Sequence, residues 1–212
     1  MSVIIFGSIN MDLVVRAPHF PQPGESEIGS TFFTAPGGKG SNQAVASARL
    51  GTPTMIFGRV GGDVFSSVLI QSLQENGVDT RGVFSDPGQP SGTALITLND
   101  EGENTIVYIP GANNTMDDSD LNRLKPALEK ADWLLLQLEI PMEVNLNAAR
   151  AARQQGVPIL MVAHAFDGLP DIPIHLVVMN RGRITGDLSC QAGEVEEIIR
   201  KECEVKERCS SG

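Results

Sequence analysis

The sequence is poor in cysteine, in aromatic residues and in positive charge, and it has no long apolar run. Three cysteines occur in 212 residues, the first at Cys190, and none has CxxC spacing. An odd count without that spacing argues against a disulfide framework or a zinc site. Lys and Arg number 16 against 26 Asp and Glu, a net charge of −10. No basic stripe exists to neutralise phosphates, so neither nucleic acid nor an anionic membrane is the expected partner. Every apolar run is too short for a membrane span. The opening, Met1 to Gly7, has no basic start and no cleavage site, so the expected location is the cytoplasm, with reduced thiols. What remains is ordinary for a globular protein, 41% hydrophobic and 20% charged, with enough chain for one large core.

Against these absences stands a glycine-rich stretch, Pro36-Gly37-Gly38-Lys39-Gly40-Ser41-Asn42-Gln43, running into Ala-Val-Ala-Ser-Ala-Arg-Leu and Gly51. It reads as a tight loop entering a small-residue helix, with Ser41 as the expected N-cap and Gly51 as the stop. A helix start with free N–H groups, beside Lys39, Asn42 and Gln43, suits a ligand rich in oxygens. It is not a Walker A loop, because Gly40 follows Lys39 and no glycine stands five residues before it.

The rest of the chain alternates strand and helix. Val3 to Gly7 is a continuous apolar run, as expected of a strand buried on both faces of a parallel sheet. Asn10 and Asp12 follow at its carboxyl end, where α/β sheets place ligands. Residues 13–15 and 27–33 read as strands, joined by a proline-rich loop in which His19 is expected to be solvated. Residues 54–61 read as a buried strand. Residues 63–76 read as a helix capped by Asp63 and stopped by Gly77. Residues 91–98 and 105–109 flank an Asn/Asp/Gly turn and form the expected hairpin. Helices are expected at 117–130 and 141–155, and strands at 133–138, 158–162 and 172–179. Residues 194–208 suggest a terminal surface helix. Glu139 stands just past an apolar strand, so it must be solvated, paired or bound to something polar. The pattern predicts an α/β fold: a doubly wound, mainly parallel sheet with helices on both faces, plus a small separate antiparallel sheet.

These residues also resemble the ribokinase branch of the ribokinase/PfkB family of carbohydrate kinases. The resemblance rests on Gly37-Gly38-Lys39-Gly40-Ser41-Asn42-Gln43-Ala44 with Gly51 and Gly61, and on Gly7-Ser8-Ile9-Asn10-Met11-Asp12. Pro23-Gly24-Glu25, Ser91-Gly92-Thr93-Ala94, Gly111-Ala112-Asn113 and Gln137-Leu138-Glu139-Ile140-Pro141 complete it in family order. It covers about residues 1–160. It implies a ribokinase-like α/β domain over 1–12, 35–91 and 110–212. It further implies a β-sheet lid over 13–34 and 92–109 that also makes a homodimer contact. Asn10, Asp12, Gly38, Lys39, Asn42 and Glu139 would hold a sugar, with ribose as the expected one. ATP and Mg²⁺ would be the cofactors, with monovalent-cation activation possible in a full-length relative, and Asn180 would lie on the nucleotide side.

The departures are equally specific. The family's catalytic aspartate lies in a Gly-x-Gly-Asp motif that this sequence lacks, so no catalytic residue is assigned. Gly61-Gly62-Asp63 has Val60 in the first glycine position, and Gly186-Asp187 has Ile184. Where the family has Asn-x-x-Glu, this chain has Asn180-Arg181-Gly182-Arg183, which reverses a charge facing the metal. The segment from about 190 to 212 resembles nothing in the family. Three functions therefore stand as expectations: an ATP-dependent ribose 5-kinase, a sugar-binding or dimerising remnant without turnover, and a kinase of another sugar or nucleoside.

Overall fold

The computed structural model describes residues 1–162, 173–180 and 183–191. The expected helix at 194–208, His164, Cys203, Cys209 and most of the 190–212 segment lie outside them. The chain divides into two units, Met1–Val162 and Ala163–Gly212.

The first unit is built on a five-stranded sheet in the order β5-β4-β1-β8-β9. Its strands are β1 (Val3–Phe6), β4 (Thr54–Gly61), β5 (Asp79–Asp86), β8 (Trp133–Gln137) and β9 (Ile159–Val162). Every pairing in it is parallel. Successive residues of a strand point to opposite faces, and β1 shows the consequence. Ile4 and Phe6 pack with α3 (Asp118–Leu128) and α4 (Met142–Gln154), whereas Val3 and Ile5 pack with α1 (Lys39–Arg49) and α2 (Phe65–Glu75). The doubly wound parallel sheet with helices on both faces is present as expected.

The helix ends follow local chemistry. Gly38 is the N-cap of α1 with φ 94°, and Gly51 and Gly77 follow α1 and α2 at φ 81° and 80°. These left-handed conformations strain any residue with a Cβ. Ser41 is not the cap: it sits in the first turn, and its hydroxyl donates back to the Gly37 and Gly38 carbonyls. Asp63 accepts from the Phe65 and Ser66 amides at 3.1 and 3.2 Å. Asp117 and Asp120 form a reciprocal capping box at α3.

A second sheet has the order β3-β2-β6-β7, from β2 (Asn10–Arg16), β3 (Thr31–Gly37), β6 (Gly92–Leu98) and β7 (Asn104–Ile109). Its outer pairings are antiparallel, and the central β2–β6 pairing is parallel. Two expectations shift here. The strand expected at 13–15 begins three residues earlier, so Asn10 and Asp12 belong to it, and Asn10 pairs with both Gly37 and Gly92. The strand expected at 27–33 begins four residues later, at Thr31. His19, expected to be solvated, lies 3.4 Å from both Glu25 and Glu27 in the loop.

In the second unit, β10 (Pro173–Asn180) pairs antiparallel with β11 (Arg183–Gln191) as a two-stranded sheet of its own. The strand expected at 172–179 is thus present but is not in the five-stranded sheet. Asn180 stands opposite Arg183 at the turn end of this hairpin.

Candidate functional site

Strand order reverses between β1 and β8, and the crevice beyond such a switch point is where parallel sheets bind ligands. Gly7 and Ser8 leave β1 on one side of it, and Gln137 to Glu139 leave β8 on the other. The two exits are tied together: the Ser8 hydroxyl donates to Glu139 Oε2 at 2.6 Å. The start of α1 closes the third side. Its Lys39 amide donates to Glu139 Oε2 at 3.1 Å, its Gly40 amide to Ser8 Oγ at 3.2 Å, and its Ser41 amide to the Ser8 carbonyl at 2.9 Å. Lys39 Nζ then reaches Glu139 Oε1 at 3.2 Å. Glu139 is therefore paired, as an isolated carboxylate past an apolar strand must be.

This closeness depends on missing side chains. A Cβ on Gly40 would stand 2.6 Å from the Ser8 nitrogen and oxygen, and one on Gly38 would stand 2.8 Å from the Asn10 nitrogen. A Cβ on Gly37 would overlap the Asp12 carboxylate, so that carboxylate lies against the bare Gly37 Cα.

Asn10 and Asp12 project from the same face of β2, two residues apart. Tyr108 shares that face, since Asp12 pairs with Ala94 and Ala94 with Tyr108. Burial, and then the charge of Glu139, hold the Asp12 carboxyl above the usual carboxylate range. Burial and Glu139 likewise push the Tyr108 hydroxyl up to about 12. Asn10 is buried, and its Oδ1 accepts from Asn113 Nδ2 at 2.7 Å.

The structure thus brings Asn10, Asp12, Gly38, Lys39 and Glu139 to one opening. Side-chain exposures of 41% for Lys39 and 18% for Glu139 leave the ion pair accessible from water. Asn42 is exposed and bonds the others only through its backbone amide, which donates to the Gly38 carbonyl at 2.9 Å; it lines a cleft of about 320 Å³ between α1 and α2, with Val45, Arg49, Ser72 and Asn76. Asn180 lies in the second unit, and its side chain is outside the described residues. Ser8, Tyr108 and Asn113 were not singled out from the sequence. The signal for Ser8 was its place directly after the glycine that ends β1. Chemically, the opening offers two carboxylates that accept and an amide and an ammonium that donate, a combination suited to vicinal hydroxyls. The described residues contain no helix long and apolar enough to cross a membrane.

Comparison with known proteins bears on this geometry. A ribokinase of Bacillus subtilis is 38% identical over 160 residues, covering 76% of this chain and 54% of its own length. A ribokinase of Lactococcus lactis is 42% identical over 159 residues, covering 74% and 52%. The solved structure of Arabidopsis thaliana ribokinase complexed with ribose and ATP superposes with a TM-score of 0.68 at 34% identity, covering 76% of this chain and 52% of that one. The chain spans about half the length of the curated relatives it matches. The pattern of the pfkB family carbohydrate kinases matches residues 1–179, and the chain belongs to that family.

Proposed function

We propose that the opening between β1, β8 and the start of α1 binds a pentose, D-ribose first among candidates, as the sugar half of a ribokinase. Asp12 accepts from a vicinal pair of hydroxyls, Asn10 donates to one of them, and Glu139 accepts from a third. Lys39 and the Gly38–Lys39 backbone close over the sugar. The observation that supports this most directly is the convergence of Asp12 with the Ser8–Glu139–Lys39 cluster at the sheet's switch point. The ribose- and ATP-bound structure of a relative makes ribose the first sugar to test.

In a polypeptide that also holds a Gly-x-Gly-Asp aspartate, the reaction is transfer of the γ-phosphoryl of ATP to the 5-hydroxyl of ribose. The hydroxyl proton goes to that aspartate, and ADP leaves. General bases contribute on the order of 10²- to 10⁴-fold, and this sequence supplies none at that position. Mg²⁺ accompanies such transfers, but Arg183 stands opposite Asn180 in the β10–β11 hairpin. An arginine in the place of the glutamate of the family's Asn-x-x-Glu offers a divalent metal no oxygen ligand, so no step is routed through one. That observation favours a second reading for these 212 residues alone: sugar binding without turnover.

The four-stranded sheet is proposed as a lid over the sugar and as the contact with a second copy of this chain. Phe32, Leu95 and Val107 are exposed on one of its faces, and Phe33 and Ile106 on the face that carries Asp12. Exposed apolar area of this kind marks an interaction surface.

Titration calorimetry with D-ribose, on this chain and on Asp12→Ala, tests the reading with an ATP-consumption assay alongside. Ribose binding that Asp12→Ala abolishes, without ATP consumption, is the expected outcome. Ribose-dependent ATP consumption would overturn the second reading, and absence of ribose binding in a folded protein would overturn the first.

A further inference from the structure

We propose that Asn113 is a positioning residue that fixes which end of the Asn10 carboxamide faces the sugar, making that edge of the site a hydrogen-bond donor. The inference rests on the sugar-site reading above and deepens it.

The argument is one of polarity passed from atom to atom. The Ile9 backbone N–H donates to Asn113 Oδ1 at 3.0 Å. A peptide N–H can only donate, so the Asn113 atom facing it is the oxygen and the opposite end is Nδ2. That Nδ2 lies 2.7 Å from Asn10, 3.3 Å from the Ile9 carbonyl and 3.5 Å from the Tyr108 hydroxyl. An amide nitrogen also only donates, so the near end of Asn10 is Oδ1. The other end of Asn10 is then Nδ2, a donor. Asn113 is 0% exposed and Asn10 4%, so bulk water does not compete for these bonds.

The surroundings hold the relay in place. Asn113 sits in a 3-10 turn, Gly111–Thr115. Arg59 Nη1 donates to Thr115 Oγ1 at 3.1 Å, and Thr115 Oγ1 donates to Asp86 Oδ2 at 2.7 Å. On the other side, Gly92 leaves the space the two amides need; a Cβ there would overlap both Asn113 Nδ2 and Asn10 Oδ1. The direction matters because Asp12 and Glu139 already supply acceptors. A sugar hydroxyl can accept from Asn10 and donate to Asp12 at once. With Asn10 reversed, three acceptors would face the same hydroxyls.

Asn113→Asp keeps an oxygen for the Ile9 N–H but sets a second oxygen against Asn10 Oδ1, which turns the Asn10 amide around. D-ribose titration of the full chain should show binding at least tenfold weaker in Asn113→Asp and in Gly92→Ala. In an Asn10→Ala background, Asn113→Asp should have no further effect, because the residue acts through Asn10; an undiminished effect there would make it only a structural staple and overturn the proposal. Asp12→Ala separates the two claims. If Asp12→Ala abolishes binding while Asn113→Asp binds normally, only the positioning role fails. If wild type does not bind ribose, or Asp12→Ala does not weaken binding, the sugar-site reading fails and takes this one with it. Side-chain amide exchange in the free wild-type protein gives a readout that needs no variant to fold. The Asn113 carboxamide protons should exchange slowly, and exchange as fast as that of a solvated asparagine would overturn the relay.

Discussion

Gly40→Ala sets two effects of opposite sign against each other. Gly40 lies inside α1, and replacing an unhindered helical glycine with alanine gains about 1 kcal/mol of helix propensity. Here a Cβ would stand 2.6 Å from the nitrogen and oxygen of Ser8 and 2.8 Å from the Gly7 carbonyl carbon. All are backbone atoms of the exit from β1, so no side-chain rotation relieves the overlap. Overpacking of this kind costs about 1–3 kcal/mol. The first turn of α1 must retreat, and the Gly40 and Ser41 bonds to Ser8, at 3.2 and 2.9 Å, lengthen with it. Each is worth about 1 kcal/mol. The balance is a net loss of about 2–4 kcal/mol. Urea denaturation monitored by circular dichroism measures it. The same retreat pulls the Lys39 amide from Glu139, so ribose affinity should fall with stability. A variant more stable than wild type by the propensity term would refute the close contact of α1 with Ser8, and with it the geometry of the site.

Other outcomes follow from the same structure. Arg59 is 14% exposed and bonds Asp120 at 2.6 Å, itself 3% exposed; Arg59→Ala removes that bond but leaves Asp120 its contacts with Arg123 and the Asp117 amide, and should cost about 1.5–3 kcal/mol in urea denaturation. Asp12 has a raised pKa in the folded chain, so its contribution is favourable at low pH and is lost as pH rises through that raised value. Asp12→Asn should therefore stabilise the free protein near pH 7, by about 1 kcal/mol or less because water screens a half-buried group, and should have no effect near pH 3; a gain that does not change with pH would contradict the assignment. The proposed dimer contact through the four-stranded sheet predicts that Phe33→Asp with Ile106→Asp lowers the sedimentation coefficient to that of a monomer in sedimentation velocity, and an unchanged coefficient would remove the sheet as the contact.

The parts of this fold that are legible in sequence are those whose pattern comes from burial on both faces. β1 and β8 are apolar runs bounded by Gly7 and Gln137, Gly51, Gly77 and Gly156 stop α1, α2 and α4, and Asp117 caps α3. β5 was not legible. Asp79 to Asp86 is an edge strand with one neighbour, rich in polar residues, and its extension comes from pairing with β4. Asn10 and Asp12 look like turn residues because they follow a glycine, and only pairing with Gly37 and Gly92 makes them strand. Glu139 and Lys39 were found from position and chemistry. Asn113 was not, because its role depends on which atoms of two distant segments meet, and no local signal states that. Ser41 shows the reverse error: good capping chemistry lies two residues inside a helix that Gly38 already starts.

The most direct test of the central claim, that Asn10, Asp12, Gly38, Lys39 and Glu139 form one sugar site, is an amide ¹H–¹⁵N spectrum of this chain titrated with D-ribose. The claim requires saturable shifts concentrated at Asn10, Asp12, Gly38 to Gly40 and Glu139, which Asp12→Ala removes. Shifts confined to Val45, Arg49 and Asn76 would move the ligand to the cleft between α1 and α2. No shifts in a folded protein would contradict sugar binding altogether.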